Sequence, residues 1–155
     1  MTARLVGAVL SLCILAAGAC ARSPSPVRPS PALPASAAPT LTYLGVAGWR
    51  LDVAGRTLLF DPYFSRQTPD RDDALVSPDL AAIDAHAPRR ADVILVSHSH
   101  YDHLLDVPVI AARTGAFVVG TRSTANVARA GGVAGDRAVP AEGGESLAYG
   151  PSRCE

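Results

Sequence analysis

The amino-acid sequence predicts an α+β domain that starts near residue 41 of a 155-residue chain. Three short apolar segments, 41–46, 49–54 and 56–61, are joined by Gly-containing links and predict an antiparallel meander with tight hairpin turns. The nearly continuous apolar run 91–97 predicts a buried central strand. Helix and strand patterns alternate after it, and this order of elements is typical of a sheet layered with helices.

The elements on either side of the central strand follow from periodicity and from breaking residues. Residues 62–80 are rich in Pro and Asp and predict a loop, with a short helix within 78–86. Beyond the central strand we expect a helix, a strand, a second helix and a weak strand, over 103–115, 116–120, 121–132 and 136–140. Pro108 interrupts the first of these helices, Asp106 is a candidate cap for its restart, and Gly115 ends it.

Residues 1–21 have the layout of an export signal. Arg4 precedes an apolar stretch that is too short for a membrane span and that ends in small residues. Residues 17–20, AGAC, resemble the lipobox of bacterial lipoproteins, in which Cys20 would carry the lipid. The alternative is cleavage after Ala21 and free secretion. We expect an exported protein of the periplasm or cell envelope, held at the membrane by a lipid anchor on Cys20.

Residues 22–40 consist almost entirely of Pro, Ser and Ala and predict a disordered linker. Such a tether fits a lipid-anchored protein, although an ordinary disordered N-terminus has the same composition. The foldable domain is then residues 41–155, a length that can bury one hydrophobic core.

The charged residues exclude several classes of function. The formal net charge is zero, so the composition does not indicate nucleic acid as a partner. All 14 basic residues are Arg, which excludes Schiff-base chemistry and a P-loop lysine. Of the three cysteines, Cys13 and Cys20 lie in the leader and Cys154 lies next to the last residue, so the domain has no Cys-based metal site.

Three of the four histidines lie within six positions, where the apolar central strand ends. On an extended chain, side chains two residues apart point the same way, so His98 and His100 are placed to share one metal ion. Asp102 and His103 lie at the turn into the next helix and can serve a second position. Imidazole and carboxylate donors suit Zn²⁺ or another first-row metal. Two such ions about 3.5–4 Å apart can hold a hydroxide for hydrolysis.

Histidine and serine residues at such a position also have roles that involve no metal. A single histidine is more often a satisfied core or surface residue than a ligand, and His86 is interpreted as a surface residue. Three histidines in this spacing favour a metal site. Ser97 and Ser99 could act as nucleophiles beside a histidine, but no G-x-S-x-G elbow surrounds either of them.

Two segments resemble the metallo-β-lactamase fold hydrolases. Residues 98–103, HSHYDH, match the H-x-H-x-D-H signature of that superfamily. Residues 57–66, TLLFDPYFSR, are similar to its first motif, in which the aspartate, here Asp61, supports the metal loop by hydrogen bonds without binding metal. Residues 41–65 are most similar to the branch of ascorbate-6-phosphate lactonase and N-acyl-phosphatidylethanolamine phospholipase D. Val46 stands where that branch commonly has His.

The resemblance implies a fold, a metal site and a class of reaction. The fold is the αββα sandwich, of which the chain would supply the N-terminal half. His98 and His100 would bind the first metal, Asp102 and His103 the second, and Asp102 would also act in catalysis by orienting the attacking water. The implied cofactor is one or two Zn²⁺ ions, with Mn²⁺ or Fe²⁺ as alternatives. The implied reaction is cleavage of an ester, lactone or phosphodiester bond in a small-molecule substrate by a metal-bound hydroxide.

The later ligands of that superfamily have no counterpart in this sequence. No histidine follows His103, and Asp136 lies in a Gly-rich stretch where a turn-forming role is expected. The alternative is therefore a truncated, non-catalytic lipoprotein remnant with an incomplete metal site. A weaker option is an envelope binding module that uses the fold without metal. Half of a sandwich is also expected to leave one apolar sheet face uncovered.

Overall fold

A computed structural model of the chain describes residues 38–68 and 75–148. These residues form one mixed sheet of six strands that lie in chain order. The strands are β1 (Thr40–Gly45), β2 (Gly48–Val53), β3 (Arg56–Phe60), β4 (Val93–Leu95), β5 (Phe117–Gly120) and β6 (Ala138–Pro140). The first three pair antiparallel, as the predicted meander, and the pairs from β3 to β6 are parallel. The predicted α+β class is confirmed. The export signal, Cys20 and most of the linker lie outside the described residues.

The two hairpin turns use the left-handed backbone conformation. Ala54 and Gly55 join β2 to β3 with φ of 50° and 74°, the sign that the primed two-residue hairpin turns require. Gly45 and Val46 have φ of 97° and 55° at the end of β1. The φ of Gly45 favours glycine, and the flexible guanidinium of Arg66 packs over it in the space that a side chain would occupy.

Four helices lie in the described residues: α1 (Leu80–His86), α2 (Tyr101–Leu104), α3 (Val107–Thr114) and α4 (Arg122–Ala130). The Asp79 carboxylate caps α1 by accepting from the amides of Ala81 and Ala82 at 2.9 and 3.0 Å. Gly115, with φ of 73°, ends α3 as predicted. None of these helices combines the length and hydropathy that a membrane crossing requires.

The predicted interruption of the helix over 103–115 is confirmed, because it is divided into α2 and α3 with Pro108 in the first turn of α3. Asp106 occupies the predicted cap position, but the prediction that its side chain caps α3 was wrong, since it makes no cap hydrogen bond. Its carboxylate is fully buried and accepts instead from the amides of Phe64 and Ser65, at 2.5 and 2.8 Å. These two amides lie in a loop outside the sheet and have no strand partner. The buried carboxylate accepts hydrogen bonds from both of them, and so it does not bond to the amides at the start of α3.

The helices pack on one side of the sheet, which we call the covered face. Its central side chains, Leu59, Ile94 and Val118, are inaccessible to solvent and come from three adjacent strands. They join one core cluster with residues of all four helices, among them Ile83 and Ile110. This cluster fixes the three parallel strands side by side, and so it fixes the edge at which they end.

The opposite side of the sheet, which we call the open face, is apolar across several strands. Tyr43 and Trp49 are paired across β1 and β2, stack with centroids 4.9 Å apart, and are 58% and 39% exposed. Phe60 and Leu95 continue the row and are half-buried. The described residues thus supply one sheet and one helix layer of the expected αββα sandwich, and the open face is exposed at β1 and β2, whereas Val93 and Val119 on the same face are buried.

Candidate metal centre

The candidate site lies at the edge where β3, β4 and β5 end. Because these strands are parallel, their carboxyl ends meet at the same edge of the sheet. Asp61 directly follows β3, residues 96–100 follow β4, and Thr121 directly follows β5. Residues far apart in the sequence therefore meet here, at the position where open sheets with parallel strands commonly bind ligands.

The structure brings the predicted ligand residues together. The ring of His98 lies 4.5 Å from that of His100 and 3.9 Å from that of His103, between centroids. Asp102 Oδ2 lies 3.5 Å from Nε2 of His103. His98, Asp102 and His103 are half-buried and His100 is exposed. These four side chains form a cluster, which we call the histidine cluster, around the short helix α2.

Asp61 connects this cluster to the sheet. Its Oδ1 accepts from the amide of Ser97 at 2.7 Å, and its Oδ2 lies 3.0 Å from Nδ1 of His103. Its own amide donates to the carbonyl of Leu95 at 3.0 Å. The side chain is buried, and the backbone has a φ of 40°, a conformation that Asp tolerates better than most residues. Its contacts are hydrogen bonds to the loop that carries the histidines; its role as support for a bound metal stays a prediction.

The residue types of the histidine cluster fit a divalent cation. Three imidazoles and a carboxylate are the donors that zinc and its first-row neighbours prefer. Because Asp61 engages Nδ1 of His103, the Nε2 of that ring is left as the metal donor, as in many carboxylate–histidine–metal arrangements. Within the described residues, however, no three His, Cys, Asp or Glu side chains converge on one point closely enough to hold a metal ion. Ligation therefore requires rotation of these side chains on the loop that Asp61 holds.

Ser97 lies within hydrogen-bonding distance of two histidine rings. Ser97 Oγ lies 3.1 Å from Nδ1 of His98 and 3.2 Å from Nδ1 of His103. In a Ser-His-Asp relay the serine and the carboxylate contact opposite nitrogens of one ring. Here Ser97 and Asp61 both contact Nδ1 of His103, so Asp61 is not placed to act as the carboxylate of such a relay, whereas Asp102 lies 3.5 Å from the opposite nitrogen.

Sequence reasoning missed two features beside the site. The side chain of Tyr63 is buried against Tyr101 of α2, with ring centroids 6.1 Å apart, and burial raises the pKa of the Tyr63 hydroxyl. Asp106 holds the loop that presents this tyrosine, across 41 and 42 residues of sequence. No local pattern indicates either contact. His86, interpreted as a surface residue, is exposed at the end of α1.

Comparisons with known proteins show the family of the chain. A family model described as "Beta-lactamase superfamily domain" matches residues 56–154. The chain belongs to this family. The predicted resemblance to that superfamily is therefore confirmed.

Two relatives show how much of such proteins this chain covers. It is 35% identical over 108 residues to a UPF0173 metal-dependent hydrolase of Polynucleobacter asymbioticus, across 68% of this chain and 33% of that protein. It is 37% identical over 93 residues to one of Methanopyrus kandleri, across 60% of this chain and 35% of that protein. The chain thus spans about a third of the length of the curated relatives it matches. Among solved structures, it is similar to a metallo hydrolase from the archaeon Ignicoccus hospitalis, with 22% identity and a TM-score of 0.48 over 68% of this chain and 40% of that one.

Proposed function

We propose that the chain acts as a metal-dependent hydrolase whose metal ligands are His98, His100, Asp102 and His103. The observation that carries this proposal is the double contact of the buried Asp61, which holds both the amide of Ser97 and Nδ1 of His103. This contact ties the loop of the histidine cluster to the end of β3, with Nε2 of His103 facing Asp102, another proposed ligand, at 3.5 Å. The metal-dependent hydrolases that are relatives of this chain support the same class of reaction.

The ligands divide into two sets according to their position on the chain. His98 and His100 lie on the extended segment after β4 and would hold a first cation. Asp102 and His103 lie in α2 and would hold a second. Zn²⁺ is the metal that imidazole and carboxylate donors favour, with Mn²⁺ or Fe²⁺ as alternatives. When bound, such a cation supplies Lewis acidity and activates water at neutral pH.

The chain's own residues supply position and proton acceptance. Asp102 is the acceptor that orients the attacking water, because its carboxylate is partly exposed beside His103. Asp61 keeps the loop in place and makes no contact with substrate. We propose a small-molecule substrate with an ester, lactone or phosphodiester bond, on the strength of the resemblance of residues 41–65 to the lactonase and phospholipase D branch.

We also propose that the protein is exported and held at the cell envelope by a lipid on Cys20. The support is the charged, apolar and small-residue layout of residues 1–21 and the Pro/Ser/Ala linker that follows. Labelling of cells with an alkyne fatty acid checks it: the chain becomes labelled and its Cys20→Ala variant does not. Labelling of both, or of neither, contradicts the anchor.

The proposed activity is tested with chromogenic ester, lactone and phosphodiester substrates. We expect turnover of at least one of them by the zinc-loaded full chain, loss of turnover with a chelator, and recovery on addition of zinc. An Asp102→Asn variant should lose turnover and bind the second cation more weakly, because Asp102 is one of its two proposed ligands. Turnover that survives complete chelation contradicts the proposal.

A second candidate is a protein that binds metal without turnover. The observation that favours it is the lack, within residues 38–68 and 75–148, of three side chains that converge on one metal position. Stoichiometric metal binding together with no hydrolysis of any of the three substrate types would decide for this candidate.

A further inference from the structure

Three hydroxyl groups meet behind the histidine cluster and form what we call the hydroxyl triangle. Ser99 Oγ lies 3.0 Å from Oγ1 of Thr121 and 3.1 Å from Oγ1 of Thr124. The two threonine hydroxyls lie 3.1 Å from each other. Ser99 is the residue between His98 and His100, whereas the threonines belong to the start of α4. The triangle therefore joins the predicted ligand loop to a helix on the next strand connection.

The helix side of the triangle is rigid. Thr121 caps α4 by accepting from the amide of Thr124, and Thr124 is inaccessible to solvent. The preceding residue, Gly120, has no room for a side chain, because a Cβ there would lie 2.8 Å from Thr124 Cγ2 and 2.9 Å from the carbonyl oxygen of Val96. The end of β4, the end of β5 and the first turn of α4 are thus in close contact, and the buried Thr124 cannot shift without moving its core neighbours.

The triangle is also saturated. A hydroxyl has one proton to donate and can accept from others, so three hydroxyls satisfy three contacts when each donates to the next. No donor of the triangle is then left to bind a substrate. The three hydroxyls therefore bond to one another, and the contacts with the two threonines hold Ser99 in place.

The contacts around Ser99 explain why its backbone position is important. The imidazoles of His98 and His100 contact each other, and His98 also contacts His103 of α2. The side chain between them contacts α4 instead. The segment from 98 to 100 thus directs its two rings toward α2 and its hydroxyl toward α4.

We propose that Ser99, Thr121 and Thr124 are positioning residues that set the orientation of the His98 and His100 imidazoles for metal binding. This inference rests on the metal-binding function proposed above. Asp61 holds the loop at its start, through Ser97 and His103, and the hydroxyl triangle holds it at its centre. Two fixed points, one directly after β3 and one at the start of α4, hold the backbone that carries these imidazoles.

The test is a Co²⁺ titration of the full chain, followed by visible absorption, at a temperature well below the unfolding midpoint of every variant. Thr124→Val removes the buried hydroxyl and keeps the shape of the side chain. We expect it to weaken Co²⁺ binding about tenfold, in the range found for residues that orient metal ligands. Thr124→Ser restores the hydroxyl and should bind within about twofold of the unmodified chain. The absorption bands of the Co²⁺ complex should also shift in Thr124→Val, which a loss of stability alone would not cause.

A matched control is Thr114→Val, because Thr114 Oγ1 donates to the carbonyl of Ile110 at 2.8 Å at the far end of α3. This variant should bind Co²⁺ like the unmodified chain. Equal affinity and equal spectra in Thr124→Val and the unmodified chain overturn the positioning role and leave the proposed function standing. Failure of the unmodified chain to bind Co²⁺ overturns the proposed function instead. If Thr124→Val does not fold, Ser99→Ala is measured with the same expectations, since Ser99 is only half-buried.

Discussion

Two aspartates at opposite ends of the same pair of strands show how one structural device serves two purposes. Asp61 directly follows β3, and Asp92 directly precedes β4. Asp61 accepts from the amide of Ser97, which follows β4, at 2.7 Å. Asp92 accepts from the amide of Thr57, which lies in β3, at 2.9 Å. Both therefore bind β3 to the chain around β4, one at the carboxyl edge of the sheet and one at the amino edge.

The difference between the two lies in the second partner. Asp92 contacts Arg56 at 2.7 Å and Arg90 at 3.5 Å, and these guanidinium groups remain charged at all ordinary pH values. Asp61 contacts Nδ1 of His103, and Nε2 of the same ring lies 3.5 Å from Oδ2 of Asp102, another proposed metal ligand. The contacts of Asp92 thus stabilise the fold, whereas Asp61 contacts a side chain, His103, that is proposed to bind a metal. Changing each aspartate to Asn should separate metal affinity from stability.

The largest expected effect is on metal affinity. Asp61→Asn should weaken Zn²⁺ binding about 10–100-fold, because the Asn side chain cannot hold His103 with a charged acceptor. Asp92→Asn should leave the affinity unchanged, since Asp92 lies at the other end of the strands. Competition with a chromogenic zinc chelator measures both variants. An equal loss of affinity in the two variants would show that general stability, and not the Asp61–His103 contact, controls binding.

The next effect is on stability at the amino edge. Asp92→Asn should lower the free energy of unfolding by about 1–3 kcal/mol, because it replaces a half-buried, charge-assisted acceptor of Arg56 and of the Thr57 amide. Urea denaturation of the metal-free protein measures it. The matched control is Asp84→Asn, since Asp84 pairs with Arg113 at 2.6 Å on the surface, where such pairs contribute about 0–1 kcal/mol. Equal effects of the two variants would contradict the bracing role of Asp92.

The smallest effect is the pH dependence of the stability that Asp92 contributes. Burial raises the pKa of Asp92, but hydrogen bonds from the Thr57 amide and the Arg56 guanidinium outweigh it, so the pKa lies below its ordinary value. The folded state then binds a proton less readily than the unfolded chain, whose Asp has a pKa of about 3.9. The stabilisation is fully present above that pH and is lost as pH falls through the lower, folded-state pKa. The difference in unfolding free energy between the unmodified chain and Asp92→Asn should therefore narrow as pH falls below about 4. A difference that stays constant down to pH 2 would exclude the charge of Asp92 as its cause.

The sequence predicted those features that depend on local patterns. Alternating and continuous apolar runs indicated β1 to β5, Gly55 indicated a hairpin turn, and the spacing of His98 and His100 indicated neighbouring rings. The edge position of the cluster follows from the parallel order of the strands. These predictions succeeded because each depends on residues a few positions apart.

Long-range polar contacts could not be predicted in the same way. Asp92 meets Arg56 across 36 residues, and Ser99 meets Thr121 and Thr124 across 22 and 25. Asp106 appeared to be a helix cap by its position before Pro108, but it binds loop amides 41 and 42 residues away. Which distant amide a carboxylate accepts from depends on how the layers pack, and no periodicity in the sequence records that.

The central claim is that the histidine cluster binds a divalent cation. Isothermal titration of the purified, metal-free full chain with Zn²⁺ tests it most directly, beside a His98→Ala/His100→Ala variant that unfolds at the same urea concentration. We expect stoichiometric binding by the unmodified chain and at least a hundredfold weaker binding by the variant, since two of the four proposed ligands are removed. Equal binding by both proteins, or no binding by the unmodified chain, would contradict the claim.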